Sequence, residues 1–204
     1  LFKNFQMLEP GIGELRGGHE LLVEGETIRE VSDKPIKSAS ATVIDCGGKT
    51  LMPGLIDSHV HLDSDAGGNA AMLEGLTSSD ATSAYRTLGN AKKTLMAGFT
   101  TVRNLGDGTG ATLALRDFAA SGVILAPRIV DAGRSISTTS GHMDGTLSLG
   151  EDLHSAINQE NLCDGLETCR HAIRMQIRRG VDVIKIATTG GVNSRIGAGL
   201  GRQL

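Results

Sequence analysis

The chain has 204 residues and a formal net charge of −3, with no run of like charges, a balance that argues against nucleic acid or an anionic membrane surface as partner. Hydrophobic residues make up 39% of it but aromatics only 2%, so any core must be built from Leu, Ile, Val and Ala. No apolar run approaches the ~20 residues of a membrane span and no charged-then-apolar leader is visible. A cytoplasmic setting is therefore expected, with a secreted or periplasmic one left open by a first residue that is Leu and not Met. The cysteines Cys46, Cys163 and Cys169 form no CxxC pair, so neither a disulfide framework nor a thiolate zinc site is expected, and reduced, buried thiols are the default reading.

Residues 1–52 read as a small β-rich module. Leu21–Val23, Thr27–Val31 and Thr42–Asp45 are aliphatic or β-branched segments separated by turn residues at Glu24-Gly25-Glu26, Asp33-Lys34-Pro35 and Cys46-Gly47-Gly48. From residue 53 the texture changes to strands alternating with helices. Leu51–Val60 reads as a strand, Asp80–Ala97 as a helix stopped by Gly98, Phe99–Leu105 as a second strand and Ala111–Ala120 as a helix stopped by Gly122. Arg128–Ala132 is a third expected strand. A long polar segment follows, then an expected helix over Leu166–Arg179 closed by Gly180 and a fourth strand over Val181–Ala187. The Gly-rich Ser194–Gly201 reads as a loop.

Such alternation implies parallel pairing, and near-continuous apolar strands imply burial on both faces. The fold class is thus α/β, either a doubly wound sheet or a (β/α)8 TIM-type barrel. A full barrel takes ~250 residues, so residues 53–204 would hold only about its first four strands.

In Asp57-Ser58-His59-Val60-His61 the period of two along a strand puts Asp57, His59 and His61 on one face. Two imidazoles so placed can grip one borderline metal ion, although two histidines near a strand end are as often plain polar residues. Asp57 is placed either to orient one of them or to make an ordinary strand-end hydrogen bond. Lys185 sits within Val183-Ile184-Lys185-Ile186, at the end of an expected buried strand. There it either reaches solvent along its aliphatic stem or, desolvated, becomes a neutral amine able to form a carbamate with carbon dioxide. His59, His61 and Lys185 all fall at C-terminal ends of expected parallel strands, where such folds put their chemistry. His19 and His171 read as surface or packing residues, and His154, in an acidic polar loop, as solvent-exposed.

Together PGLIDSHVHL at 53–62, GFTTVRNLG at 98–106, PRIVDAGRSIS at 127–137, SGHMDG at 140–145 and GVDVIKIATTGG at 180–191 resemble the amidohydrolase superfamily, and within it the prolidase-like and Xaa-Arg dipeptidase-like metal peptidases. The resemblance runs in order along most of the chain. It implies a β-sandwich module over residues 1–52 attached to a (β/α)8 barrel with two divalent metal ions, most naturally zinc. His59 and His61 would bind one metal, and a carboxylated Lys185 would bridge both. A metal-bridging hydroxide would cleave the amide bond of a dipeptide, Xaa-Pro or similar, or of an N-acyl amino acid. His142 would either bind substrate, donating to its carboxylate or polarising its carbonyl, or cap local backbone as an ordinary loop histidine, and Arg134 and Arg195 are weaker candidates for the carboxylate. Two further histidines and the proton-shuttling aspartate of such enzymes have no counterpart in this chain, which alone should be inactive without the C-terminal half of the barrel. A homo-oligomer is expected.

Two other readings compete. Gly106-Asp107-Gly108-Thr109-Gly110-Ala111 follows a strand and opens a helix, matching the dinucleotide-binding fingerprint through Gly106, Gly108 and Ala111, with Asp131 about twenty residues on. That reading leaves His59, His61 and Lys185 unexplained. The other is a catalytically silent scaffold of the same fold.

Overall fold

The computed structural model describes residues 1–65, 68–147 and 149–191, so the Gly-rich stretch 194–201 and Arg195 lie outside the described residues. The chain divides into two compact units, Leu1–Gly54 and Leu55–Leu204.

The first unit contains seven short strands, β1 (Phe2–Lys3), β2 (Gln6–Glu9), β3 (Glu14–Arg16), β4 (Glu20–Glu24), β5 (Thr27–Ser32), β6 (Ile44–Asp45) and β7 (Thr50–Leu51). They form a four-stranded sheet in the order β5-β4-β1-β6 and a three-stranded sheet in the order β3-β2-β7. Gly25, with φ 60°, sits at the first position of the β4–β5 turn, where a tight hairpin requires a left-handed residue. Leu1, Phe5, Leu21 and Ile36 are the unit's buried apolar residues. Of these strands, β1, β2, β3 and β7 were not expected: two to four residues are too few to show a period of two.

The second unit is α/β. A three-stranded sheet in the order β10-β9-β8 is built from β8 (Leu55–Val60), β9 (Phe99–Asn104) and β10 (Arg128–Asp131), and both pairings are parallel. Parallel neighbours need crossovers, supplied by α1 (Gly68–Thr77) and α2 (Asp80–Met96) between the first two strands and α3 (Ala111–Ala120) between the second two. Ser79 caps α2 by accepting the Thr82 backbone N–H at 3.2 Å. Leu62, Ala91, Val102, Leu115 and Ile129 form the core between the sheet and these helices, with Val60 and Phe99 packed against it. Helix α1 was not expected, since its sequence carries Gly68 and Gly75, and Gly weakens a helical pattern.

After β10 the chain passes through a 3-10 helix at Glu151–Ala156 and α4 (Leu166–Arg179), which ends at Gly180 with φ 80°. Two expectations need correction here. Val181–Ala187 is not a ladder strand: it meets its neighbour at an isolated parallel bridge between Ile136 and Ile186 and through the Asp182 and Val183 backbone N–H groups, which both reach the Asp131 carbonyl. The reason lies at Asp182, whose side chain accepts the Asp131 backbone N–H at 2.9 Å and so takes a donor that a regular ladder would give to a backbone carbonyl. The cysteines are the second correction. Cys163 and Cys169 form a disulfide across a Cα–Cα distance of 4.7 Å, and only Cys46 is a free thiol. The turn at Gly165, with φ 110°, brings the two together at the start of α4, where Cys163 packs with Ile136 and Ala172.

Strand β8 also departs from the expected burial on both faces. Ile56 is 69% exposed and Leu55 41%, and β8 is an edge strand of this sheet.

Candidate functional site

The ends of β8, β9 and β10 and the segment around Lys185 carry the expected site residues. The β8–β9 register shifts between Asp57 and Val60, so Ser58 and His59 sit in an irregular stretch, where the Ser58 carbonyl accepts from the Arg103 guanidinium at 2.8 Å. Irregularities of this kind re-aim side chains. The rings of His59 and His61 nonetheless stay together, with centroids 5.5 Å apart and planes inclined by 58°.

Desolvation, the Lys185 and His61 charges and the Arg103 guanidinium together hold the His59 imidazole below its ordinary pKa, against the opposing Asp57 carboxylate. His59 is therefore neutral at pH 7 and offers a lone pair. The same balance places Lys185 in electrostatic reach of the histidine pair. Its backbone carbonyl accepts the Ile136 N–H at 2.8 Å, which fixes the segment beside the sheet. Asp57 accepts the His59 backbone N–H at 3.0 Å, the ordinary strand-end bond of the two roles considered for it. Among the described residues no third His, Cys, Asp or Glu joins the pair as a metal cage.

His142 belongs to a loop pinned from inside. Asp144 accepts the backbone N–H groups of Ser140 at 2.8 Å and Thr146 at 2.9 Å and the Thr146 hydroxyl at 2.6 Å. The His142 ring rests against Gly191, where a Cβ would come within 2.3 Å of its Cε1. His154 is half-buried, 3.4 Å from the Leu149 carbonyl, rather than fully solvated.

A cleft of about 610 Å³ opens beside His61, lined among others by Asp63, Asp107, Arg134, Met143 and Asn161. Burial, with the charge of neighbouring Asp107, pushes the Asp63 carboxyl up to about 6. The Arg134 guanidinium donates to the Gly108 carbonyl, and burial beside Arg179 lowers its pKa.

Sequence reasoning missed the layer beneath this cleft. Asn104, fully buried, accepts the Leu62 N–H at 3.0 Å and donates to the Gly106 carbonyl at 3.3 Å, the Thr112 hydroxyl at 3.1 Å and Asp131 at 3.4 Å. The only signal available was a polar Asn at the end of an apolar strand.

The dinucleotide fingerprint is answered by its own second residue. Asp107 accepts the backbone N–H groups of Thr109 at 2.7 Å, Gly110 at 3.1 Å and Thr112 at 2.7 Å. The anion site at the start of α3 is filled by a carboxylate of the chain itself, and a second anion there would meet repulsion in place of free donors.

The model of the amidohydrolase family matches residues 50–201. Ochratoxinase of Aspergillus niger is 35% identical over 205 aligned residues, covering 93% of this chain and 42% of that protein. Among solved structures, a prolidase complexed with N-methylphosphonate-L-proline is 35% identical with a TM-score of 0.78, covering 95% of this chain and 47% of that one. A Xaa-Pro dipeptidase with bound methionine in its active site has a TM-score of 0.85 at 29% identity, covering 97% of this chain and 49% of that one. The chain spans about half the length of these relatives. The prolidase-like resemblance read from the motifs thus recurs in the relatives, and the chain belongs to the amidohydrolase family.

Proposed function

We propose that this chain is the N-terminal part of a metal-dependent hydrolase that cleaves the amide bond of dipeptides, Xaa-Pro or similar, or of N-acyl amino acids. The observation that carries the reading is the pairing of His59 and His61, rings 5.5 Å apart, with desolvation holding the His59 imidazole below its ordinary pKa. In this reading residues 1–52 are a β-sandwich module and residues 53–204 the first strands of a (β/α)8 barrel. The remaining metal ligands and the proton-shuttling aspartate come from outside this span, so the span alone is inactive.

The donors fit a borderline divalent ion such as zinc, since imidazole nitrogens, on rings with centroids 5.5 Å apart, are donors such an ion takes. His59 and His61 would hold one of two ions, and a carboxylated Lys185, with two oxygens, would be shared by both. When bound, such ions supply Lewis acidity to a carbonyl and bring the pKa of water toward neutrality.

The chain's own residues do the rest of what this span contributes. His142, held by Gly191 and the Asp144-pinned loop, is the substrate-binding group. Arg134, partly desolvated on the wall of the cleft, is a cation placed for a substrate carboxylate. Similarity to a prolidase and a Xaa-Pro dipeptidase favours substrates with a C-terminal proline.

The test is made in the full-length protein. His59→Ala and Lys185→Ala should each lower bound zinc and abolish hydrolysis of a panel of Xaa-Pro dipeptides and N-acyl amino acids. Zinc stoichiometry unchanged in both variants would refute the metal site. Full zinc with no turnover of any substrate in the wild type would favour the silent scaffold.

A further inference from the structure

We infer that Asn104 is the positioning residue for His61, holding both the backbone that follows this histidine and the carbonyl that takes its ring proton. The inference rests on the reading of His61 as a metal ligand.

The geometry has two arms that meet in one side chain. Asn104 Oδ1 accepts the Leu62 N–H at 3.0 Å, which fixes the peptide leaving His61. Asn104 Nδ2 donates to the Gly106 carbonyl oxygen at 3.3 Å, and that same oxygen lies 3.3 Å from His61 Nδ1. A carbonyl oxygen only accepts, so the His61 bond requires the proton on Nδ1. In a neutral imidazole this leaves the lone pair on Nε2 as the nitrogen available to a metal.

Two further observations make the arrangement specific. Asn104 has no solvent exposure, and its amide also reaches the Thr112 hydroxyl at 3.1 Å and Asp131 at 3.4 Å, so its orientation is set by partners on α3 and β10 and not by water. A side chain at Gly106 would crowd the His61 ring and Ser135. A Cβ there would stand 3.0 Å from His61 Cε1, 3.2 Å from its Nδ1 and 3.1 Å from Ser135 Oγ. Ser135 in turn donates to the Leu105 carbonyl at 2.6 Å, which steadies the peptide before Gly106. The ring therefore lies directly on Gly106, and Asn104 holds the same carbonyl oxygen that the ring meets.

The experiment uses full-length protein with 15N-labelled histidine, zinc-loaded and stripped, the His61 signals being assigned by their loss in His61→Gln. Expected in the wild type is a proton on Nδ1 in both forms. In Asn104→Ala the stripped protein should shift toward the Nε2–H tautomer, and zinc affinity should fall by about 10–100-fold, the usual effect of removing a group that orients a metal-binding histidine. A merely structural role would lower thermal stability without moving the tautomer. A wild-type His61 carrying its proton on Nε2, or a tautomer unchanged in Asn104→Ala, overturns the inference. Should Asn104→Ala fail to fold, the wild-type tautomer decides alone. His61→Ala separates the two levels: if it leaves zinc content unchanged, the metal reading itself has failed, whereas zinc loss with an unmoved tautomer in Asn104→Ala defeats only the role of Asn104.

Discussion

The Asp107 carboxylate closes on Thr112, accepting its backbone N–H at 2.7 Å and its hydroxyl at 2.5 Å. One oxygen thus caps the first turn of α3 while the other gathers Thr109 and Gly110. A Gly-rich turn that looks made for a phosphate is instead a self-capped helix start.

Asp107→Ala should therefore destabilise the protein by about 2 kcal/mol, combining a lost cap with buried donors left unpaired. Urea unfolding measures this. Wild-type protein should retain no NAD through dialysis, and retention would revive the dinucleotide reading.

Acid should loosen the loop that carries His142. Burial acts to raise the Asp144 pKa, but the Thr146 hydroxyl, the Thr146 and Ser140 backbone N–H groups and the nearby His154 outweigh it and hold the carboxyl below its ordinary value of 3.8. The folded state then binds this proton more weakly than the unfolded chain. Its contribution is fully present above 3.8 and is lost as pH falls through the lower folded value. Asp144→Asn should be less stable than wild type at pH 7, and the gap should narrow below about pH 4. Urea midpoints across this range would contradict the assignment if the two curves ran parallel.

The sequence carried the elements that punctuation marks. Gly98, Gly122 and Gly180 stop helices where expected, and α4 spans Leu166–Arg179 in both accounts. What escaped was decided by tertiary partners. Asp182 displaces a ladder bond at the fourth strand, and the turn at Gly165 closes a disulfide between cysteines whose spacing matches no common motif. The same division runs through the site. An i, i+2 histidine pair is visible in one dimension because a strand's period is two. Asn104 is not, since its role exists only once Leu62, Gly106, Thr112 and Asp131 surround it.

Leu62 links packing to chemistry, because it is 3% exposed in the main core and follows His61 directly. Leu62→Ala should cost roughly 2–5 kcal/mol through lost burial and the cavity left behind. It should also weaken zinc retention, as the strand end that carries His61 loses its anchor. Leu115→Ala, in the same cluster but on α3, should destabilise by a similar amount and leave zinc retention nearly unchanged. Equal zinc loss in both variants would mean that general softening, not the anchoring of β8, controls the site.

The disulfide makes a prediction of its own. Cys163 and Cys169 close a loop with a sequence separation of 6, and tying so short a loop in the unfolded chain is worth about 2 kcal/mol in the chain-entropy account. Alkylation of denatured, unreduced protein followed by peptide mapping should modify Cys46 and leave Cys163 and Cys169 untouched, with both becoming labelled after reduction. The double variant Cys163→Ser/Cys169→Ser should lose stability by the same amount as reduction does. Full labelling of Cys163 and Cys169 before reduction would show that the two thiols stay reduced, the state the spacing of the cysteines alone suggests.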